Sequence, residues 1–335
     1  MAILGLDIHK QKSTVAVLSE DPTDDDLIDK YTVRNNTIGD VAEQYAGGKA
    51  ALEATGNYFA IYDTLDEQME VVLANPLKLS WITEAKTKTD KIDAEKLAVL
   101  LKTGHLPESY VPPMPIRHRR ELVRARYRLQ STRKQWKNRV HSLLDRHGIL
   151  PESAVFSEEG RQFLEKLSLD GEGEYLLANA VATIDEATEK LDEIDRRIAS
   201  IARDVPDVNL LVSTPGIGPV RGLTIHAELG EVDRFSDQEA LVSYAGMDPT
   251  VHQSADTRKS GSMSKQGSPY LREAVISAAH TAVHAAKEPY LSNYYWKLRD
   301  GRDKHPLTAR CATGRKLLES LYFMLTREEK WNPPT

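Results

Sequence analysis

Short apolar or alternating runs fill the first third of the chain. Ile3-Leu4-Gly5-Leu6-Asp7-Ile8, Ser13 to Leu18 and Lys30 to Arg34 have strand length and strand residue types and are separated by turns, which predicts a three-stranded meander. Lys49 to Glu53 reads as a fourth strand, Tyr58 to Glu70 as an amphipathic helix, and Val71-Val72-Leu73 as a buried strand that ends at Asn75-Pro76. A helix is expected from Lys91 towards Leu101. Strands first, then alternating helix and strand, predict a mixed sheet in an α/β domain that closes near Pro112-Pro113-Met114-Pro115.

The pattern then becomes helical. No Pro or Gly interrupts Arg117 to His147, and Leu122, Tyr127, Leu129, Val140, Leu143 and Leu144 form its apolar stripe, so this is one long helix. Further on, Leu177, Ile184, Leu191 and Ile198 occupy one heptad position and Ala180, Ala187, Ile194 and Ile201 another, with charged flanks such as Glu186, Lys190 and Arg197. Such a seam serves either a coiled coil between subunits or a helical hairpin against the preceding helix. After Pro206 comes Ser213-Thr214-Pro215-Gly216-Ile217-Gly218-Pro219, a glycine-rich turn feeding a helix that runs through Ala227. Its free N–H groups suit a phosphate oxygen, and its spacing resembles a helix-hairpin-helix element, which makes Gly216 and Gly218 candidate backbone contacts. Three segments are expected: 1–112, 113–205 and 206–335, the last mainly helical.

Charge changes this picture. With 44 Lys plus Arg against 50 Asp plus Glu the net is −6, which argues against a uniformly basic coat. The average hides a patch. Arg117, Arg119, Arg120, Arg124, Arg126, Arg128, Arg133, Lys134, Lys137, Arg139 and Arg146 are opposed only by Glu121 and Asp145, eleven cations against two acids on one helix. Tyr127 and Trp136 add rings on which a base can stack, so the helix is a candidate nucleic-acid surface. The single cysteine, Cys311, cannot form an internal disulfide. The opening residues lack a signal peptide's basic region and long apolar core, and no apolar run nears the ~20 residues of a membrane span. A soluble protein of a reducing cytoplasm, with no membrane partner, is expected.

Candidate chemistry lies in the acids. Asp7 and Glu53 each end a strand, where a carboxylate is poor strand chemistry and needs a reason. On neighbouring strands they converge at one sheet edge. Asp90 and Asp93 are three apart and share a helix face. Four carboxylates around one site suit Mg²⁺ or Mn²⁺, since the chain has no Cys or His cluster. Two such ions ~3.5–4 Å apart would clamp the attacking and leaving oxygens of a phosphodiester.

Gly5-Leu6-Asp7-Ile8-His9-Lys10, Glu53-Ala54-Thr55-Gly56-Asn57-Tyr58, Lys88-Thr89-Asp90-Lys91-Ile92-Asp93-Ala94 and Pro215-Gly216-Ile217-Gly218 resemble an IS110-family transposase over nearly the whole chain. The resemblance implies a RuvC-like, RNase H-type first domain with a DEDD site at Asp7, Glu53, Asp90 and Asp93, and a C-terminal domain with a nucleophilic serine. It implies donor and target DNA as substrates, a structured guide RNA that pairs with both, and a homo-oligomer, dimer or tetramer.

The stretch from Ala245-Gly246-Met247-Asp248-Pro249 to Ser264-Lys265-Gln266-Gly267 and Leu271-Arg272 follows the family pattern, and the spacing places Ser254 at the nucleophile. Ala255 stands after it where the family has Gly, whereas Ser260 precedes Gly261, which keeps Ser260 as the alternative. Arg258, Lys259, Lys265 and Arg272 would neutralise phosphates around the serine. The implied reaction is strand exchange through a 5′-phosphoserine link. A hydrolytic RuvC-like nuclease and a DNA invertase of the same family are the nearest rivals. An actin-like ATPase would need a glycine-rich hairpin after Asp7, where Ile8-His9-Lys10 stands, and a non-catalytic DNA-binding protein leaves the four acids unexplained.

Overall fold

A computed structural model of the chain describes residues 2–21, 27–54, 58–76, 78–79, 94–254 and 257–333, with the backbone course alone over the parts of 249–262 it includes. The chain divides into two compact units, Met1–Val111 and Pro112–Thr335.

The first unit is built on a five-stranded sheet of β1 (Ala2–Ile8), β2 (Lys12–Ser19), β3 (Leu27–Arg34), β4 (Lys49–Glu53) and β5 (Glu70–Ala74), in the order β3-β2-β1-β4-β5. The first three strands form the expected antiparallel meander, whereas β4 runs parallel to both β1 and β5. Strand alternation sorts the apolar residues onto two faces. Leu4, Leu6, Ile8, Val15, Val17, Ala50 and Leu52 pack with α1 (Ile38–Gln44) and α2 (Tyr58–Asp66). Ala51 and Ala74 pack with Leu97, and Ile3 and Leu18 with Ala98, both on α3 (Ala94–Lys102). The short α1 was not legible in the sequence, because seven residues carry too little periodicity.

Gly5 lies under α3. A Cβ there would fall 1.8 Å from the Ala94 carbonyl oxygen and 2.6 Å from the Ala98 nitrogen, so only glycine lets the helix backbone settle on the strand.

The second unit is helical apart from one hairpin. The basic segment forms α4 (Met114–Arg146), followed by α5 (Glu158–Lys166) and α6 (Gly173–Arg203). The heptad residues Leu177, Ala180, Ile184, Ala187, Leu191 and Ile198 are buried, and their partner is in the same chain. Val140, Leu143 and Leu144 of α4 pack with Leu177, Ala180 and Ile184, and Val123 packs with Ile198 and Ala202. Of the two readings of the seam, the intramolecular helical hairpin is the one observed. Next come α7 (Pro206–Val212), α8 (Pro219–Leu229), α9 (Gln238–Tyr244), the antiparallel strands β6 (Pro249–Ser254) and β7 (Thr257–Met263), α10 (Pro269–His284), α11 (Pro289–Arg299) and α12 (Pro306–Thr326). Val275, Ala278, Leu291, Leu317 and Leu321 centre the core of the later helices. Among the described residues no helix is long and apolar enough to cross a membrane.

Candidate active site

Asp7 and Glu53 occupy matching positions on neighbouring strands. The parallel register pairs Leu6 with Leu52, so the next residues, Asp7 and Glu53, stand level at the carboxyl ends of β1 and β4. Asp7 alternates with Gly5 and Glu53 with Ala51, which places both on the face covered by α3. The Asp7 side chain is 23% exposed and its Oδ2 lies 3.2 Å from His9 Nε2. Ala94, which Gly5 touches, is the residue that follows Asp93. Asp90 and Asp93 themselves lie outside the described residues. Among the described residues no three His, Cys, Asp or Glu side chains gather as a metal site. The donor chemistry of Asp7 and Glu53, carboxylate oxygen at a partly open strand end, fits a hard divalent cation such as Mg²⁺ or Mn²⁺.

The serine segment is the β6–β7 hairpin. Ser254 is the last residue of β6 and pairs with Thr257 at the hairpin tip, while Ser260 pairs with Val251 further down. Arg258 and Lys259 follow on β7, opposite Gln253 and His252. The two motifs flanking the hairpin lock together at its base. Gly246, with φ of +64°, has no room for a Cβ, which would sit 2.6 Å from the Gly267 nitrogen; one on Gly267 would sit 2.0 Å from the Tyr244 carbonyl oxygen. Lys265 N–H donates to the Gly246 carbonyl at 3.0 Å, and Ser264 Oγ donates to Asp248 Oδ1 at 2.5 Å. Arg272 donates to the carbonyls of Ala245 (3.1 Å) and Gly267 (2.6 Å), and burial pushes its guanidinium below the usual range. Of the two cations expected around the serine in this region, Lys265 is exposed and Arg272 is committed to the base.

The basic helix is partly spent within the fold. Arg124 donates through Nε and Nη2 to both oxygens of Glu228, at 2.7 and 2.8 Å, and Glu228 is 1% exposed. That carboxylate holds the Arg124 guanidinium above its usual range. Arg120 donates to the carbonyls of Ala227 and Glu228. Arg126 grips Asp195 of α6 at 2.5 and 3.0 Å. Arg119 Nη1 lies 3.0 Å from His226 Nε2, whose Nδ1 is 3.4 Å from Asp207 Oδ2; a guanidinium can only donate, so the imidazole proton belongs on Nδ1 facing the acid. Arg133 contacts Thr188, and Lys137 lies over the Phe156 ring. Arg117 is half-buried. Arg128, Lys134, Arg139 and Arg146 are exposed, Arg139 4.2 Å above the Trp136 ring. Arg128, Arg139 and Arg146 recur at helical spacing along one face, about 16 and about 10 Å apart.

The glycine-rich turn joins α7 to α8. Gly216 has φ of +92°, and a Cβ would fall 2.4 Å from the Ala278 carbonyl oxygen, so its glycine is required by packing on α10. Gly218 precedes α8 and has open space around it.

Residues 4–149 match the DEDD transposase family of IS110 elements, and residues 208–296 match the family described as Transposase IS116/IS110/IS902. A probable family 20 transposase of Pseudomonas aeruginosa is 23% identical over 98% of each chain. The transposase of insertion element IS1111A from Coxiella burnetii is 21% identical over 73% of this chain and 68% of its own. A pilin gene-inverting protein of Moraxella bovis is 23% identical over 84% of this chain and 81% of its own. Two family matches in one chain, one covering the level acids of β1 and β4 and the other the hairpin with its interlocked base, have one reading: the chain belongs to the IS110 family of transposases.

Proposed function

We propose that this chain is a DNA strand-exchange enzyme that uses Ser254 as nucleophile and Asp7, Glu53, Asp90 and Asp93 to hold Mg²⁺ or Mn²⁺. The observation that carries the reading is the level placement of Asp7 and Glu53 on one sheet face. The sheet order β3-β2-β1-β4-β5, with three antiparallel and two parallel strands, supports a RuvC-like, RNase H-type domain around them. The position of Ser254 at a hairpin tip supports its delivery to a substrate. Bound divalent cations would stabilise charge on the phosphodiester oxygens.

In the reaction the Ser254 oxygen bonds to phosphorus and the bond from phosphorus to the 3′ oxygen breaks. A 5′-phosphoserine and a free 3′ hydroxyl result, the proton lost by the serine being matched by the one the departing 3′ oxygen takes up from solvent. Attack by the 3′ hydroxyl of a second strand reverses these bonds and frees the serine. Exchange between two DNA partners calls for more than one protomer. A structured non-coding RNA would select the sites, its backbone met by the exposed Arg128, Arg139 and Arg146 through shape and charge. The Moraxella relative favours inversion as a second outcome of the same chemistry.

Denaturing gels of protein incubated with labelled DNA and Mg²⁺, followed by peptide mapping, test the serine. A covalent adduct is expected in the wild type and in Ser260→Ala and absent in Ser254→Ala. Cleavage by Ser254→Ala at the wild-type rate would establish the hydrolytic nuclease instead. Sequencing of RNA that copurifies tests the guide: loops complementary to both DNA partners are expected.

A further inference from the structure

Away from the residues used so far, three helices of the second unit bring basic groups together. Ser277, His280 and His284 follow one another on a face of α10 at spacings of three and four residues. The rings of His280 and His284 are 4.4 Å apart. Arg221 reaches over from α8 and donates through Nη2 to Ser277 Oγ at 3.0 Å. Arg310 comes from α12 and meets Ala279, His280, His284, Tyr295 and Thr313 around a closed gap too narrow to admit a water, in which no carboxylate appears. Glu273, one turn before Ser277, is engaged by the Tyr127 hydroxyl at 2.5 Å.

Two groups of the cluster are unsatisfied, whereas Arg221 is held by Ser277 and by the Gly216 carbonyl at 2.8 Å. His280 Nδ1 and Arg310 Nε are both enclosed and without a hydrogen-bond partner. Enclosed polar groups are normally paired, and an orphan pair beside uncompensated cations calls for an acceptor from outside. Burial, Arg310, His284 and Arg221 together hold the His280 imidazole below its usual range, which reports the same convergence of positive charge. Burial pushes the Cys311 thiol up, opposed by the charges of Arg310 and of Lys265, the exposed residue at the base of the β6–β7 hairpin, so both cations lie within electrostatic reach of one side chain.

We infer that Arg221, His280, His284 and Arg310 form a binding site for a backbone phosphate of duplex DNA, beside the base of the β6–β7 hairpin. A phosphate oxygen accepts from Arg310 once its side chain turns outward, and from His284 at the surface, while Arg221 and Ser277 hold the far side. The inference rests on the proposed function only in taking DNA as the polyanion, and it concerns binding rather than the bond-breaking step.

Fluorescence anisotropy with the full-length protein in EDTA, a labelled 30-base-pair duplex and a range of salt concentrations tests it. Arg310→Gln is expected to weaken binding roughly 5- to 50-fold and to reduce the slope of log affinity against log salt by about 1, the loss of one phosphate contact. His284→Glu, at an exposed position, is expected to weaken binding similarly with unchanged thermal unfolding, and it decides the matter should Arg310→Gln fail to fold. Wild-type affinity and salt slope in folded variants would overturn the inference. So would a loss confined to an RNA duplex of the same length. Because no strand is cut in EDTA, the readout is binding alone, which separates failure of this site from failure of the proposed serine chemistry.

Discussion

Asp7 and Glu53 stand level on adjacent parallel strands, one register step beyond the Leu6 and Leu52 pair, and both belong to the face that α3 covers. Strand geometry puts directly opposed side chains about 5 Å apart, close enough for two carboxylates to share a cation. Asp7→Asn and Glu53→Gln are each expected to lower strand cleavage by two to three orders of magnitude, a loss of the size seen for a lost transition-state charge contact. DNA affinity should stay at the wild-type level. Mg²⁺ should raise the unfolding temperature of the wild type and not of Asp7→Asn.

Gly5 makes the site depend on helix packing. Gly5→Ala drives a methyl into the Ala94 carbonyl and the Ala98 amide, backbone atoms that cannot turn aside. Overpacking of this kind costs about 1–3 kcal/mol, read as a lower urea midpoint. Cleavage should fall more than stability alone explains, since α3 moves relative to Asp7.

Glu228 anchors the basic helix to α8. Glu228→Ala removes both hydrogen bonds that hold the Arg124 guanidinium, and because Arg124 is itself 37% exposed the expected cost is that of lost charge-assisted hydrogen bonds, about 1–2 kcal/mol. Glu121→Ala, at an exposed position on the same helix, should leave the urea midpoint unchanged.

Asp207 supplies an acid-sensitive increment. The hydrogen bond from His226, helped by Arg119, holds its carboxyl below the usual range. A depressed carboxylate stabilises the fold above the unfolded value of about 3.9 and loses that contribution as pH falls through the lower folded value. The stability difference between wild type and Asp207→Asn, measured by urea unfolding, should therefore be full at pH 6 and shrink on acidification below about pH 4.

Local pattern carried far in this sequence. The strands from Ile3 to Glu53, the long basic helix and the buried heptad of α6 all follow from side-chain periodicity, which needs no knowledge of partners. What periodicity lacks is the identity of the neighbour. The arginines of α4 read alike, yet Arg124 and Arg126 meet Glu228 and Asp195 from 104 and 69 residues away, and only Arg128, Lys134, Arg139 and Arg146 stay exposed. Gly216 reads as a place where backbone nears a phosphate, whereas the backbone nearest to it is that of Ala278. The candidate acids were legible because carboxylates at strand ends contradict strand chemistry. Their convergence at one sheet edge was legible too, while the exact register that sets them level is fixed across a crossover of about forty residues.

The glycine lock at Gly246 and Gly267 turns the β6–β7 hairpin into a measured arm. Five strand steps separate Pro249 from Ser254, a reach of about 17 Å. Because the anchor lies at one end and position 254 at the other, the reach is set by strand length and can be altered without touching the anchor. Adding two residues to each strand would carry position 254 about 7 Å further on the same face, while adding one would turn it to the opposite face. The hairpin is a ruler as well as a carrier, and its gradations come in pairs.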